Sequence, residues 1–256
     1  MKKTLIRSVS RLLNAKQRKR LRYYLTVGLE KLGVDQFPAH NELDRKLLKY
    51  IGDRKGGVFI EAGANDGLSQ SNTWYLERKL GWSGLLIEPI PWIAEICRKQ
   101  RNAIVESCAL GGFDQEGTTT TLYYGALMTV AEDTPGSHLE EGGAKAHAES
   151  GASWVGEEAI PFESEIHALS TLLDKYSLSR VDLLSLDVEG YELNVLSGVD
   201  MDRHIIDYIL VETGNLAAVD ELLGSHYDRV DQLSFHDYLY RRRTEQPGLR
   251  VIHSSD

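Results

Sequence analysis

Val58-Phe-Ile-Glu-Ala-Gly-Ala-Asn-Asp-Gly67 is the stretch from which the rest of the chain is read. Three apolar residues follow Gly56-Gly57 and have the character of a buried strand. Glycines at 63 and 67 then mark a tight turn. A helical pattern follows directly: Ser71 or Asn72 can cap it, and Trp74, Tyr75, Leu76 and Leu80 supply its apolar positions. A strand, a glycine turn and a helix start together make a pocket for an anionic or dipolar ligand. Glycine lets the ligand approach the backbone, and the free N–H groups of the helix start point at it.

The spacing narrows the ligand. A dinucleotide site reads G-x-G-x-x-G with an acid about 20 residues later. Here the glycines read Gly63-x-x-x-Gly67, so that fingerprint fails. An acid, Glu61, sits at the turn, and a second, Glu88, ends the next apolar run in Leu85-Leu-Ile-Glu-Pro89. Glu61 repels a pyrophosphate and welcomes a cationic amino-acid moiety, while Glu88 can take both hydroxyls of a ribose. A ribose, a positive charge and no phosphate together describe S-adenosylmethionine.

Glu61-Ala-Gly-Ala-Asn-Asp-Gly67, Leu86-Ile-Glu-Pro89 and Leu186-Asp-Val-Glu-Gly-Tyr-Glu192 resemble, in this order, the FkbM family of S-adenosylmethionine-dependent methyltransferases. The family usually has Asp where Glu61 stands and Lys where Ser185 stands. The resemblance implies a Rossmann-like class I methyltransferase: an α/β fold with a mostly parallel seven-stranded sheet and helices on both faces. It also implies O-methylation of a hydroxyl on a sugar, glycan or other polar metabolite. The alternative is a binding or scaffold protein that keeps the fold without turnover. Ser185 favours that alternative, and retention of Glu88, Asp187 and Glu189 argues against it.

The chain has 256 residues, enough for one large domain with an appendage. Its hydrophobic content of 42% suffices for a core. Two cysteines, Cys97 and Cys108, suggest reduced thiols in a cytoplasmic protein. No apolar run reaches membrane-spanning length. Residues 1–29 carry nine Lys or Arg and no acid; with a total of −9, the remainder carries −18. That acidic body disfavours nucleic acid as a partner.

Residues 1–35 read as a basic helical extension and 36–256 as the methyltransferase domain. Within 2–32, Leu5, Ile6, Val9, Leu12 and Leu13 share one side of a helical pattern. Two readings stand: an interfacial helix making peripheral contact with anionic lipid at the inner face of a membrane, or a helix whose apolar face packs on the domain or on a second subunit. The spacing predicts a helix over Asn41 to Ile51, then strand–helix–strand–helix–strand through Leu110, with Pro91 opening the second helix and Ala103–Leu110 as the third strand. Thr118 to Ala126 looks like an extra strand. Residues 127–158 lose all periodicity and read as a lid over the acceptor pocket or a flexible insertion. Beyond it come a strand to Ile166, a helix over Leu169–Tyr176 with Ser170 as cap, a buried strand over Val181–Val188, a strand over Asp207–Glu212, a helix over 216–224 and a closing antiparallel hairpin.

Transfer of a methyl group to an alcohol needs alignment and a base. Asp187, at the carboxyl end of its strand, is the first candidate for that base. Glu189 is the second, or an acceptor that orients the substrate hydroxyl. Two nearby carboxylates raise one pKa and favour a base near neutrality. For the cofactor, Glu61 and Glu88 are joined by Gly63 and Gly67 as points of backbone approach. Asn65 and Asp66 are candidates for the methionine end, and Ser107, Cys108 and Ala109 for the adenine pocket. His204, His226 and His236 lack metal-ligand spacing. Asp187, Glu189 and Glu212 could gather a divalent cation, but acids at adjacent strand ends also occur without one, so no metal ligand is assigned.

Overall fold

A computed structural model describes residues 15–126, 128–134 and 143–243. The elements begin with α1 (Ala15–Lys31), a 3-10 turn (His40–Glu42), α2 (Leu43–Ile51) and β1 (Val58–Ala62). They continue with α3 (Trp74–Leu80), β2 (Ser83–Ile87), α4 (Pro91–Gln100), β3 (Ile104–Glu106), β4 (Ala109–Gly111), β5 (Thr119–Tyr124) and β6 (Val130–Ala131). Then come α5 (Gly143–Val155), β7 (Ile160–Ala168), α6 (Leu169–Lys175), β8 (Arg180–Leu186), α7 (Glu192–Ser197) and β9 (Ile205–Glu212). The chain closes with α8 (Leu216–Leu223), β10 (Tyr227–Gln232) and β11 (Asp237–Arg242).

Seven strands form one sheet in the order β10-β11-β9-β8-β1-β2-β3. The sheet is mixed: β11 runs antiparallel to both β9 and β10, and the other pairings are parallel. The central strands read as continuous apolar runs because both faces are covered. Alternate residues serve opposite cores. Ile60, Leu184 and Ile209 pack with α6, α7 and α8, while Phe59, Leu183 and Leu210 pack with α2, α3 and α4. β1 and β8, side by side at the centre, put their carboxyl ends at one edge, where open α/β sheets bind ligands.

Four expectations need correction. The single strand expected over Ala103–Leu110 is two. β3 ends at Glu106, whose carbonyl accepts from Glu88 N at 3.1 Å, and β4 leaves to pair with β7. β4 and β7 belong, with β5 and β6, to a second, four-stranded sheet. Residues 128–134 and 143–158 are also more ordered than their composition suggests, holding β6 and α5; residues 127 and 135–142 lie outside the described residues. The alanines and glycines that blur the pattern are what let α5 lie directly on β5 and β6. A Cβ on Gly151 would stand 2.4 Å from the Gly125 carbonyl oxygen. The helix expected from Asn41 starts only at Leu43, because Asn41 and Glu42 adopt left-handed backbone with φ of 50° and 57°. Ser170 does not cap α6; it is buried and accepts from Asp200 N at 2.8 Å.

The apolar positions expected to share one side of the N-terminal extension, Leu5, Ile6, Val9, Leu12 and Leu13, lie in residues 1–14, outside the described residues; α1 is described from Ala15. Its polar and aromatic side faces the domain. Glu30 accepts from Trp74 Nε1 at 2.7 Å and from Arg78 Nε at 3.1 Å. Tyr23 meets the Trp74 ring edge-on, with centroids 6.3 Å apart. The leucines at 25, 29 and 32 stay exposed. Among the described residues no helix is long and apolar enough to cross a membrane.

Candidate active site

The cleft opens at the carboxyl ends of β1, β2 and β8 and is roofed by residues of β5 and β6. It holds about 1100 Å³ of unfilled space, its open mouth and adjoining solvent included.

Glu61 lines this cleft but does not offer a bare charge to it. One carboxylate oxygen accepts from Asn72 N at 2.7 Å, and the other from Ser71 Oγ at 2.9 Å and Thr73 Oγ1 at 2.6 Å. The Arg101 guanidinium lies 3.5 Å away. The acid expected to greet a cationic ligand instead pins the start of α3 and is neutralised from behind. Buried carboxylates persist only when paired in this way.

Gly63 lines the cleft with φ of 82°. A Cβ there would stand 1.9 Å from the Asp187 carbonyl oxygen. The neighbouring strand end therefore demands this glycine, whatever the ligand. Gly67, expected as a second point of approach, does not line the cleft. Its missing Cβ leaves room for Arg101 and Cys97. Asp66 is also drawn away: it accepts from Leu68 N, Ser69 N and Ser69 Oγ, and Lys19 Nζ of α1 lies 3.3 Å from it. Burial pushes its pKa up, but Lys19 and these hydrogen bonds outweigh that and hold it below the usual carboxylate range. Asn65 does line the cleft and accepts from Lys19 Nζ at 2.9 Å.

Glu88 is buried at the end of β2, with its oxygens accepting from Asn65 N at 2.8 Å and Ile90 N at 2.9 Å. Each oxygen keeps a lone pair for a further donor. Burial lifts its pKa to about 7, against the pull of those two N–H groups. Cys108 and Ala109 line the cleft beside it, and burial pushes the Cys108 thiol up to about 12, so it stays a thiol. Ser107 does not line the cleft; its hydroxyl is buried without a partner at the crossover between the two sheets.

Asn72 is the residue that sequence reasoning missed. Read as a helix cap, it lies buried against the cleft, where Nδ2 donates to Ser185 Oγ at 3.0 Å. Its Oδ1 has no partner. A buried acceptor left unpaired costs about 1–3 kcal/mol, which a donor on a bound ligand would recover. The legible signal was a polar triplet, Ser71-Asn-Thr73, following an acid on a buried strand.

At the end of β8, Asp187 lines the cleft beside Glu189. Burial, then the nearby Glu212 and Glu189 carboxylates, raise the Asp187 pKa well above its usual value. Glu212, at the end of β9, is lifted to about 8 by burial and by Asp237 and Glu189. Burial and the neighbouring carboxylates thus push both groups toward their protonated forms, and the two titrate together. Glu189 sits in left-handed backbone with φ of 54°, uncommon for a residue with a side chain. Glu192 holds that turn by accepting from Gly190 N at 2.8 Å. His147 of α5, from the tract expected as a lid, approaches Glu189 Oε2 to 3.4 Å. Ligand atoms of Glu212, His236 and Asp237 lie within 4.8 Å of one another, a donor set sequence spacing did not show for His236. The same groups also pair among themselves, His236 with Glu212 at 3.5 Å and with Asp237 at 3.7 Å.

The cleft thus offers the two oxygens of Glu88, an unpaired amide oxygen on Asn72, and Asp187, a carboxyl with a raised pKa. A family model described as the methyltransferase FkbM domain matches residues 61–241. The chain is also 30% identical over 172 residues to the protein "Methyltransferase sdnD" of Sordaria araneosa, the match covering 60% of this chain and 65% of that protein.

Proposed function

The chain belongs to the FkbM methyltransferase family, and from that premise we propose that it transfers the methyl group of S-adenosylmethionine to a hydroxyl of a sugar, glycan or other polar metabolite. The observation that carries this reading is the conjunction in one cleft of Glu88, the unpartnered Asn72 Oδ1 and Asp187, whose pKa is raised by burial and by Glu212 and Glu189. The strand order, with β11 reversed at the far side of β9, agrees with a class I methyltransferase sheet.

The residues present suit this cofactor. Glu88 takes the two ribose hydroxyls on its free lone pairs, and Cys108 and Ala109 flank the adenine. Asn72 Oδ1 accepts from the ammonium of the methionine end, satisfying an atom that is otherwise orphaned. When bound, S-adenosylmethionine supplies a methyl already activated on a sulfonium, whose carbon–sulfur bond breaks as carbon–oxygen forms. Asp187 takes the hydroxyl proton in its ionised form, and the Glu212 carboxylate raises its affinity for that proton. Glu189 orients the hydroxyl, itself approached by His147 at 3.4 Å. The rival reading, a protein that binds without turnover, draws on Ser185 in place of the usual Lys. Ser185 is engaged with Asn72, however, so the substitution builds part of the pocket.

Two measurements test the reading. S-adenosylmethionine and S-adenosylhomocysteine are expected to raise the melting temperature, and Glu88→Ala to remove most of that shift. A shift with NAD instead, or none with either methyl compound, defeats the cofactor assignment. Labelled methyl from S-adenosylmethionine, offered with a fractionated extract, is expected in a polar hydroxylated product. Label found only on nitrogen or carbon would overturn O-methylation.

A further inference from the structure

The exposed side of α1 is built differently from the rest of the surface. Leu25, Leu29 and Leu32 are 46%, 43% and 79% exposed, and Tyr24 beside them 57%. Spaced by three and four residues, they form one continuous stripe. Exposed cations border it: Arg20, whose guanidinium lies over the Tyr24 ring, and Lys31 on one side, Arg22 on the other. The helix has one acid, Glu30, and it is turned inward to Trp74 and Arg78. The outer face of α1 is therefore apolar along its middle, basic along its edges and free of carboxylates.

We propose that this face docks α1 in the plane of an anionic membrane surface, leucines toward the acyl chains and cations toward the headgroups. The charge pattern selects this occupant. A second copy of the chain would bring two basic borders together, which like-charge repulsion opposes. Residues after 29 carry a net −18 and would be held off an anionic surface, whereas residues 1–29 carry +9 and no acid. The domain side of α1 explains the orientation. Lys19, on the domain side, donates to Asn65, and Arg22, at the edge between the two sides, reaches Ser69 while staying exposed. The polar side is thus used to grip the domain, and the apolar side is left outward. The proposal does not depend on what the cleft catalyses.

Flotation of the full-length chain with vesicles tests it. Vesicles of phosphatidylcholine plus phosphatidylserine are expected to bind at least about tenfold more protein than phosphatidylcholine alone at low salt, since each cation near an anionic surface adds about 1 kcal/mol. The difference should shrink as salt screens the charges. The double variant Leu25→Glu, Leu29→Glu should lose about tenfold or more of the binding while keeping the wild-type melting temperature, because both side chains are exposed. Equal binding to the two vesicle types overturns the proposal. So does a double variant that floats like the wild type, which would assign lipid binding to residues 1–14. A dimer in light scattering that the double variant splits, with no flotation by either protein, would give the stripe to a second copy.

Discussion

Asp187→Asn should keep the wild-type thermal shift with S-adenosylmethionine and slow methyl transfer by about 10²–10⁴-fold, the usual worth of a positioned general base. The amide preserves shape and hydrogen bonding but takes up no proton. A variant that turns over within about threefold of wild type would remove Asp187 from that role. The pH dependence gives an independent handle. Both carboxyls of the Asp187–Glu212 pair have raised pKa values, Glu212 to about 8, so the base is largely masked below neutrality. The wild-type rate should climb as pH rises toward about 8. Glu212→Gln removes one negative charge beside Asp187 and should move that limb to lower pH. A wild-type profile flat from about pH 5 to 9 would contradict a titrating base in this range. Stability should run the opposite way. The contribution of a carboxyl with raised folded pKa is complete below its unfolded value near 4.5 and is lost as pH passes about 8.

Arg101→Met is expected to cost about 3–5 kcal/mol of folding stability, as removal of one partner from a buried ionic cluster generally does. Arg101 is buried, and its guanidinium donates to Glu77 at 2.9 Å, the Gly67 carbonyl at 2.8 Å, Ser71 Oγ at 3.1 Å and Thr73 Oγ1 at 2.9 Å. It also neutralises Glu61. Methionine fills much of the volume but strands two buried carboxylates and the loop carbonyl. For a domain of this size the loss corresponds to a drop in melting temperature of roughly 6–20 °C. Arg101→Lys should recover only part of it, because one ammonium cannot reproduce the planar fork. A methionine variant melting within about 2 °C of wild type would show that the cluster carries little of the stability.

The carboxylates show where sequence reading reaches and where it stops. Glu88 and Asp187 were legible as strand-end acids because a buried strand writes an apolar run, and the first acid after it marks the ligand edge of the sheet. Glu61 was misjudged because its compensating charge comes from Arg101, forty residues on, with nothing in the local pattern to announce it. Asn72 was hidden for a similar reason. As a helix cap and as a cleft residue it looks the same in sequence, and only its neighbours Glu61 and Ser185 distinguish the two. Gly67 and Asp66 belong to the same motif as Gly63 and Asn65 yet point away from the cleft. The tract around α5 escaped because its small residues are chosen for close approach to β5, a contact that leaves no periodic trace.

By itself, the sequence determined the alternation of strands and helices, the two-sided burial of the central strands and the order of the three motifs. All of these follow from local periodicity and from the glycines of one turn. Tertiary structure alone decided which carboxylates are neutralised, which have their pKa values raised, and which side of α1 is left bare. Those outcomes depend on charges and apolar surfaces brought together from distant parts of the chain, and electrostatic energy depends on distance in space rather than along the backbone.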